Sequence, residues 1–200
     1  MTKSIHFNFP ILIICLALFT GCSKDEIDNS SKELYIGKLY GGGIIFQLDA
    51  DKKHGLICSL INQHSGKEWS NLRFTAVGSG AQSSSNGKTN TAAIIIQPGH
   101  TYSAAKLCDD YANADYGTGL YTDWYLPSKD ELNLMYSKMS VLNTAIEADK
   151  VSATVILIAA RYWSSTEDTS TNAYYHDFTV GMQLSGDKYF SYYVRAIRSF

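Results

Sequence analysis

Disulfide-dense, proline-rich and polybasic classes are excluded by what this 200-residue chain lacks. It has four cysteines and three prolines, too few for a cysteine-stapled scaffold or a polyproline rod. Charged residues make up 18%, with 17 Lys and Arg against 19 Asp and Glu. A net charge of −2 gives no electrostatic footprint for nucleic acid. There is no His-Glu-x-x-His helix, no Gly-x-Ser-x-Gly elbow and no Cys–His metal spacing. Two near-matches fail. Gly87-Lys88-Thr89 ends like a phosphate-binding loop, but Gln82 stands where the first glycine belongs. Asp49-x-Asp51 opens like a calcium loop, but His54 takes the glycine position and Leu60 that of the bidentate glutamate. We expect no catalytic residues, no metal and no cofactor. No apolar run reaches the ~20 residues of a membrane-spanning helix.

What is present begins with an export signal. Lys3 is the sole cation of the first 21 residues, and the apolar stretch Ile11–Phe19 has the length of a signal-peptide core. Phe19-Thr20-Gly21-Cys22 resembles the lipobox of bacterial lipoproteins, in which cleavage leaves a diacylated cysteine as the first residue. Residues 1–21 are therefore expected to be the signal and Cys22 the lipid attachment site. Ser23-Lys24-Asp25-Glu26 resembles an acidic surface-export signal; it also reads simply as solvated tether. The polar run 23–33 is too poor in apolar side chains to fold. The expected location is the outer membrane, lipid-anchored and surface-exposed. Without Lys3 the mature chain has 16 basic and 19 acidic residues, a net of −3.

Residues 35–200 are long enough for one domain with its own core. Gly41–Leu48 reads as a strand after a glycine turn, and Leu56–Ile61 as its return strand in a hairpin around the turn Asp49–Gly55. Residues 78–91 read as a long Gly/Ser/Asn/Thr loop, and Thr91–Gln97 as a short helix or an apolar strand. Ala104, Leu107, Cys108 and Tyr111 form a helical stripe. Ser128 and Glu131 make a capping box for a second helix, with Leu132, Met135, Tyr136 and Met139 inward. Val151–Ala160 is a further apolar run, and Tyr174–Val180 and Lys188–Phe200 read as strands. The fold class is α+β: hairpin, two helices, antiparallel strands and long loops. Cys58 and Cys108 either bridge, as an exported protein permits, or stay as two buried thiols. Trp124, Leu126, Trp163 and Val194 read as core, with Ser164 or Ser165 accepting from a tryptophan N–H. Arg195 and Arg198 are expected to pair with acids such as Glu131 or Glu167.

Five blocks occur in order: Gly41–Phe46, His54–Ile57, Asp123–Leu132, Tyr162–Glu167 and Val194–Arg198. This order resembles the Lcl C-terminal domain family, named for a bacterial collagen-like adhesin, over residues 35–200. The family is itself similar to the major paralogous domain of fibre-degrading bacteria. The resemblance implies a C-type-lectin-like fold and a non-catalytic adhesion module that can oligomerise. The related formylglycine-generating enzymes share the Leu-Pro-x-x-x-Glu helix start, but their late paired cysteines have no counterpart after Cys108. The family's adhesin binds sulfated polysaccharide; a net charge of −3 argues against the same ligand here.

The C-terminal part mixes Tyr with Ser, Thr, Asn and Asp, as antibody paratopes do. Asn172, Tyr174, Tyr175, His176, Tyr189, Tyr192 and Tyr193 are the candidate ligand-binding residues, toward a glycan or a host or neighbour-cell protein. The plain alternative is that these rings cover an antiparallel sheet. A structural or assembly role in the cell envelope is the second functional reading.

Overall fold

The first hairpin forms where the two apolar runs flanking Asp49–Gly55 place it. In the computed structural model, which describes residues 1, 33–114, 120–150 and 153–200, strands β1 (Leu39–Tyr40), β2 (Gly43–Leu48) and β3 (Gly55–Ser59) form an antiparallel meander. Gly41 and Gly42 turn the chain between β1 and β2 at φ 58° and 82°, a region that favours glycine. Ile44, Ile45, Phe46, Ile57 and Cys58 are buried. Residues 34–200 make one compact unit. The signal, Cys22 and the tether up to 32 lie outside the described residues, as do Val151, Ser152 and the segment 115–119.

The remaining strands are β4 (His64–Lys67), β5 (Asn113–Ala114), β6 (Leu120–Tyr121), β7 (Arg161–Glu167), β8 (Asn172–Asp177), β9 (Met182–Asp187), β10 (Tyr192–Val194) and β11 (Ile197–Ser199). They build a four-stranded sheet, β1-β2-β3-β11, a five-stranded sheet, β4-β10-β7-β8-β9, and a β5-β6 ribbon. The chain passes from the first sheet to the second between β3 and β4 and returns between β10 and β11. The two crossings are tied together: Ser59 N–H donates to the Ala196 carbonyl at 3.0 Å and Gln63 N–H to that of Val194 at 2.9 Å. The block Val194–Arg198 is thus a corner joining both sheets. The expected single strand Lys188–Phe200 is split there, and Tyr174–Val180 ends early because Gly181, at φ 71°, turns the chain into β9.

Four α-helices occur among the described residues where two were expected: α1 (Gly87–Ile95), α2 (Ala104–Asp109), α3 (Lys129–Ser137) and α4 (Met139–Asp149). The stretch expected as a long loop at 78–91 holds a 3-10 turn, Gly78–Ala81, and the start of α1. Some of its polar residues, Ser83, Asn90 and Thr91, are used in tertiary contacts, while Ser79, Gln82, Ser85 and Asn86 stay exposed. Asn86 caps α1 by accepting from Thr89 N–H, and buried Asn90 donates to the Ser83 carbonyl at 2.7 Å. Ser103 caps α2. The Ser128–Glu131 capping box forms as expected. Met139 begins α4 and is not part of the α3 stripe. That helix has no side-chain N-cap hydrogen bond to announce it. The described part of the apolar run, 153–160, is irregular; Leu157 is held through both its N–H and carbonyl by the Asn143 side chain.

Three expected partnerships are decided. Cys58 and Cys108 are two free buried thiols, each within a different apolar cluster. Ser164 accepts from a tryptophan N–H, but through its backbone carbonyl and from Trp69, whereas Trp163 donates to the Lys67 carbonyl and Trp124 to that of Tyr121. Arg198 pairs with Asp123, through Nε at 2.7 Å and Nη2 at 3.0 Å. Arg195 donates to the Asn62 side chain and the Val155 carbonyl. Glu167 takes Lys188 at 2.6 Å instead, with both side chains fully buried.

Candidate ligand-binding face

Strand alternation divides the expected ligand residues between the two faces of the five-stranded sheet. Successive side chains of a strand point to opposite faces, so Tyr174 and His176 of β8 lie on one side and Tyr175 on the other. On the first side, α3 covers the sheet. His176 is fully buried there, its Nε2 3.1 Å from Asn133 Oδ1 and its ring 4.6 Å from that of Tyr136. Burial pushes its imidazole pKa down. His176 is a core residue and leaves the ligand set, because α3 lies over it. Tyr174 is half-buried, with Lys129 Nζ 4.5 Å above its ring. A hydrogen bond to Asp168 raises its phenol pKa. Asn172 closes the β7–β8 turn, its carbonyl accepting from Asp168 and Thr169. Tyr193 packs beside Tyr162 at 5.4 Å.

The opposite side carries a connected aromatic group. Trp163 and Tyr175 are paired across β7 and β8. Trp163 lies 4.5 Å from Tyr192, and Tyr192 lies 4.7 Å from Tyr175 and 5.8 Å from Phe190, which is 4.7 Å from Tyr189. The group runs from the core to the surface. Trp163 is buried, Tyr175 and Tyr192 are nearly so, and Phe190 and Tyr189 are 39% and 49% exposed. Tyr175 and Tyr192 are therefore support for a rim and not its outer surface. Gly186 is required beneath it: a Cβ there would lie 2.9 Å from the Tyr175 ring.

One cation stands over this group. Arg161, exposed at the start of β7, holds its guanidinium 5.8 Å from the Tyr175 ring centre and 5.7 Å from that of Tyr192, within cation–π range. Asp177 orients it through a 3.0 Å bond to Nε, and Arg161 in turn lowers the Asp177 pKa. Burial pushes the Tyr192 phenol up, so that it stays a neutral donor. Lys67, paired with Tyr192 across β10 and β4, sits 4.1 Å above the Tyr102 ring. Arg161, Lys67, Tyr102 and Phe190 were not in the sequence-derived set. Arg161 directly precedes the Tyr162–Glu167 block, so alternation from Trp163 was a signal that could have found it. Lys67 and Tyr102 had none, because they come together only across sheet and loop.

Such a surface offers flat rings, a guanidinium with donors to spare and neutral phenols. It has the features of a recognition face on a rigid sheet. Among the described residues no group of three or more His, Cys, Asp or Glu is arranged for a metal ion. These features define a small mixed α+β module of two packed sheets with a candidate aromatic–cationic recognition face. The chain belongs to the Lcl C-terminal domain family, whose profile matches residues 51–198. Comparison with curated proteins gives no match. Among solved structures it is similar to a fimbrial protein from Bacteroides ovatus ATCC 8483, with a TM-score of 0.54 and 23% identity, over 72% of this chain and 35% of that one. The chain thus spans about a third of that protein's length, and the likeness concerns the fold.

Proposed function

We propose that the chain is a non-catalytic adhesion module of the cell surface, anchored through Cys22 in the outer membrane, that binds a glycan through the Arg161–Tyr192–Phe190–Tyr189 rim. The aromatic group with Arg161 above it carries this reading. Ring faces stack on the C–H faces of sugars, and the guanidinium supplies planar donors to hydroxyl or acidic groups. Family membership and the fimbrial-protein likeness support a surface role. We read the fold as C-type-lectin-like, since β11 returns to pair with β3 and brings the two ends of the unit together.

The test is a glycan array probed with the mature chain carrying Cys22→Ala, repeated with a chelator, beside Arg161→Ala and Tyr189→Ala. Binding to one sugar class that both variants lose supports the reading. Chelator-sensitive binding would bring in a cation, and a blank array with folded protein would move the search to protein ligands. A second reading, an assembly subunit of the envelope, is favoured by the six-residue strand β9 at an open sheet edge. Cross-linking in intact cells to a specific envelope protein, with no glycan bound, would select it.

A further inference from the structure

β9 is the one edge of the two large sheets that the sequence leaves undefended. The other edges are short or blunted. β1 has two residues and β11 three; β4 has four, with Lys67 at its end and a register shift against β10. β9 has six residues in unbroken register with β8, no Lys, Arg or Pro, and its one charge, Asp187, at the end. Natural sheets avoid such an edge, because its free N–H and C=O groups template another strand.

The pattern of those free groups fits a second β9. Phe178 N–H donates to the Ala160 carbonyl, and the Asn172 carbonyl accepts from Asp168 N–H. Even-numbered residues of β8 therefore bond toward β7, and Ala173, Tyr175 and Asp177 toward β9. Their partners there are Gly186, Leu184 and Met182. Gln183 and Ser185 turn both backbone groups to the open side. In an antiparallel copy placed about a two-fold axis at Leu184, Gln183 faces Ser185 of the copy and Ser185 faces its Gln183, which closes four backbone hydrogen bonds. Leu184 meets Leu184. Met182, 53% exposed, meets Gly186, whose missing Cβ would lie 3.5 Å from the Phe190 ring. The thioether thus comes beside an aromatic edge, a favourable contact. No like charges face each other. The Asp187 carbonyl already accepts from Phe190 N–H, so the ladder ends there. Each copy uses its one undefended edge, and the assembly closes at two.

We infer that β9 is a dimerisation edge, through which two copies join their five-stranded sheets into one continuous sheet. Facing residues of an antiparallel pair point to the same side, so the two-fold axis stands perpendicular to the sheet. Both aromatic faces then look the same way. The two Arg161 positions lie about 24 Å apart across five strand spacings. Two sites so placed reinforce each other on a repeating or clustered ligand through effective concentration. Pairing itself needs no ligand and stands apart from the glycan reading.

The mature chain carrying Cys22→Ala is measured by analytical ultracentrifugation over a concentration series into the high micromolar range. Twice the single-chain mass should appear as concentration rises. Met182→Lys changes an exposed side chain and should restore the single-chain mass with an unchanged melting temperature. Two cysteine variants test the register. Leu184→Cys places two thiols opposite each other at the axis, within disulfide reach, and should give a covalent dimer under mild oxidation. Met182→Cys is more exposed but lies ~13 Å along the strand from its counterpart, and should not. Cys58 and Cys108 are buried and do not compete. A single-chain mass throughout the series overturns the inference and leaves β9 to a strand of another protein. A dimer that survives Met182→Lys, or trapping at 182 as fast as at 184, also overturns it.

Discussion

Two buried charges do more to hold this fold than any exposed ion pair. Lys188 donates to Glu167 at 2.6 Å and to the Ser170 carbonyl at 2.9 Å, with its Nζ 4.8 Å from the Trp69 ring. Glu167 also accepts from Val77 and Gly78 N–H. One pair thus ties β7, the β7–β8 turn, the β9–β10 connection and the loop before α1. Removing one partner of a buried pair costs about 3–5 kcal/mol, whereas replacing both by apolar or neutral groups costs far less. Glu167→Ala should lose stability in that range in urea denaturation, and Glu167→Gln with Lys188→Met should recover much of it. A Glu167→Ala variant as stable as the parent would refute this account. His176 makes a separate prediction. Burial holds its folded pKa below the ordinary 6.5. As pH falls through that ordinary value, the unfolded chain gains a proton that the folded chain does not. Stability is then full above the unfolded pKa and is lost as pH falls toward the folded one. His100 shifts in the same direction, chiefly through burial. The melting temperature should drop between pH 7 and pH 5, and His176→Gln should flatten that drop. An unchanged slope would show that other groups cause it.

At the scale of elements, one carboxylate organises the starts of two helices. Glu131 Oε2 accepts from Ser128 N–H at 2.7 Å, completing the α3 capping box, and from Gly87 N–H at 3.0 Å, the first residue of α1. Its Oε1 accepts from the Tyr125 hydroxyl at 3.1 Å. A negative charge at two helix N-termini also meets two macrodipoles of favourable sign. An ordinary cap is worth ~1 kcal/mol. Glu131→Ala should cost about 2–4 kcal/mol, because charged hydrogen bonds are worth about 1.5–3 each. Ser128→Ala should stay near the ordinary value. Gly87 is part of the same joint: a Cβ there would fall 2.5 Å from Glu131 Oε2 and 2.6 Å from the Leu126 carbonyl. Gly87→Ala should therefore destabilise despite its better helix propensity, and a stabilised variant in thermal melts would contradict this packing. The Gly-Lys-Thr triplet that looked like the end of a phosphate loop has this structural explanation.

At the scale of the whole molecule, the buried free thiols predict that reductant leaves the melting temperature unchanged. Cys58 and Cys108 should resist alkylation until the chain unfolds; burial also raises both thiol pKa values. Rapid alkylation of native protein would show the core to be open. The recognition face predicts a contrast in kind. Arg161→Ala and Tyr189→Ala alter exposed groups and should change stability by less than about 0.5 kcal/mol while weakening ligand binding. Tyr192→Ala removes a buried ring and should cost about 3–5 kcal/mol, measurable in the same denaturation series.

The amino-acid sequence by itself determined what local physics decides. The first hairpin follows from two apolar runs around the turn Asp49–Gly55, and the start of α3 from Ser128 and Glu131 three residues apart. The inward tryptophans follow from their place in apolar runs, and family membership from the order of five short blocks. Each signal lies within a few residues, where period and capping chemistry act. Tertiary structure alone decided the rest. The sequence grouped Tyr174, Tyr175, His176 and Tyr192 by composition, but the pleat of β8 and the cover of α3 sorted them into opposite environments. Asn86, Gly87 and Asn90 read as loop because their partners, Glu131, Ser83 and Ser165, were invisible to local pattern. Arg198 found Asp123 because β11 runs beside Tyr125, and Glu167 found Lys188 because the β7–β8–β9 meander brings the end of β7 beside the end of β9. Pairing of buried charges depends on which groups share a water-free space, and only the folded chain defines that space.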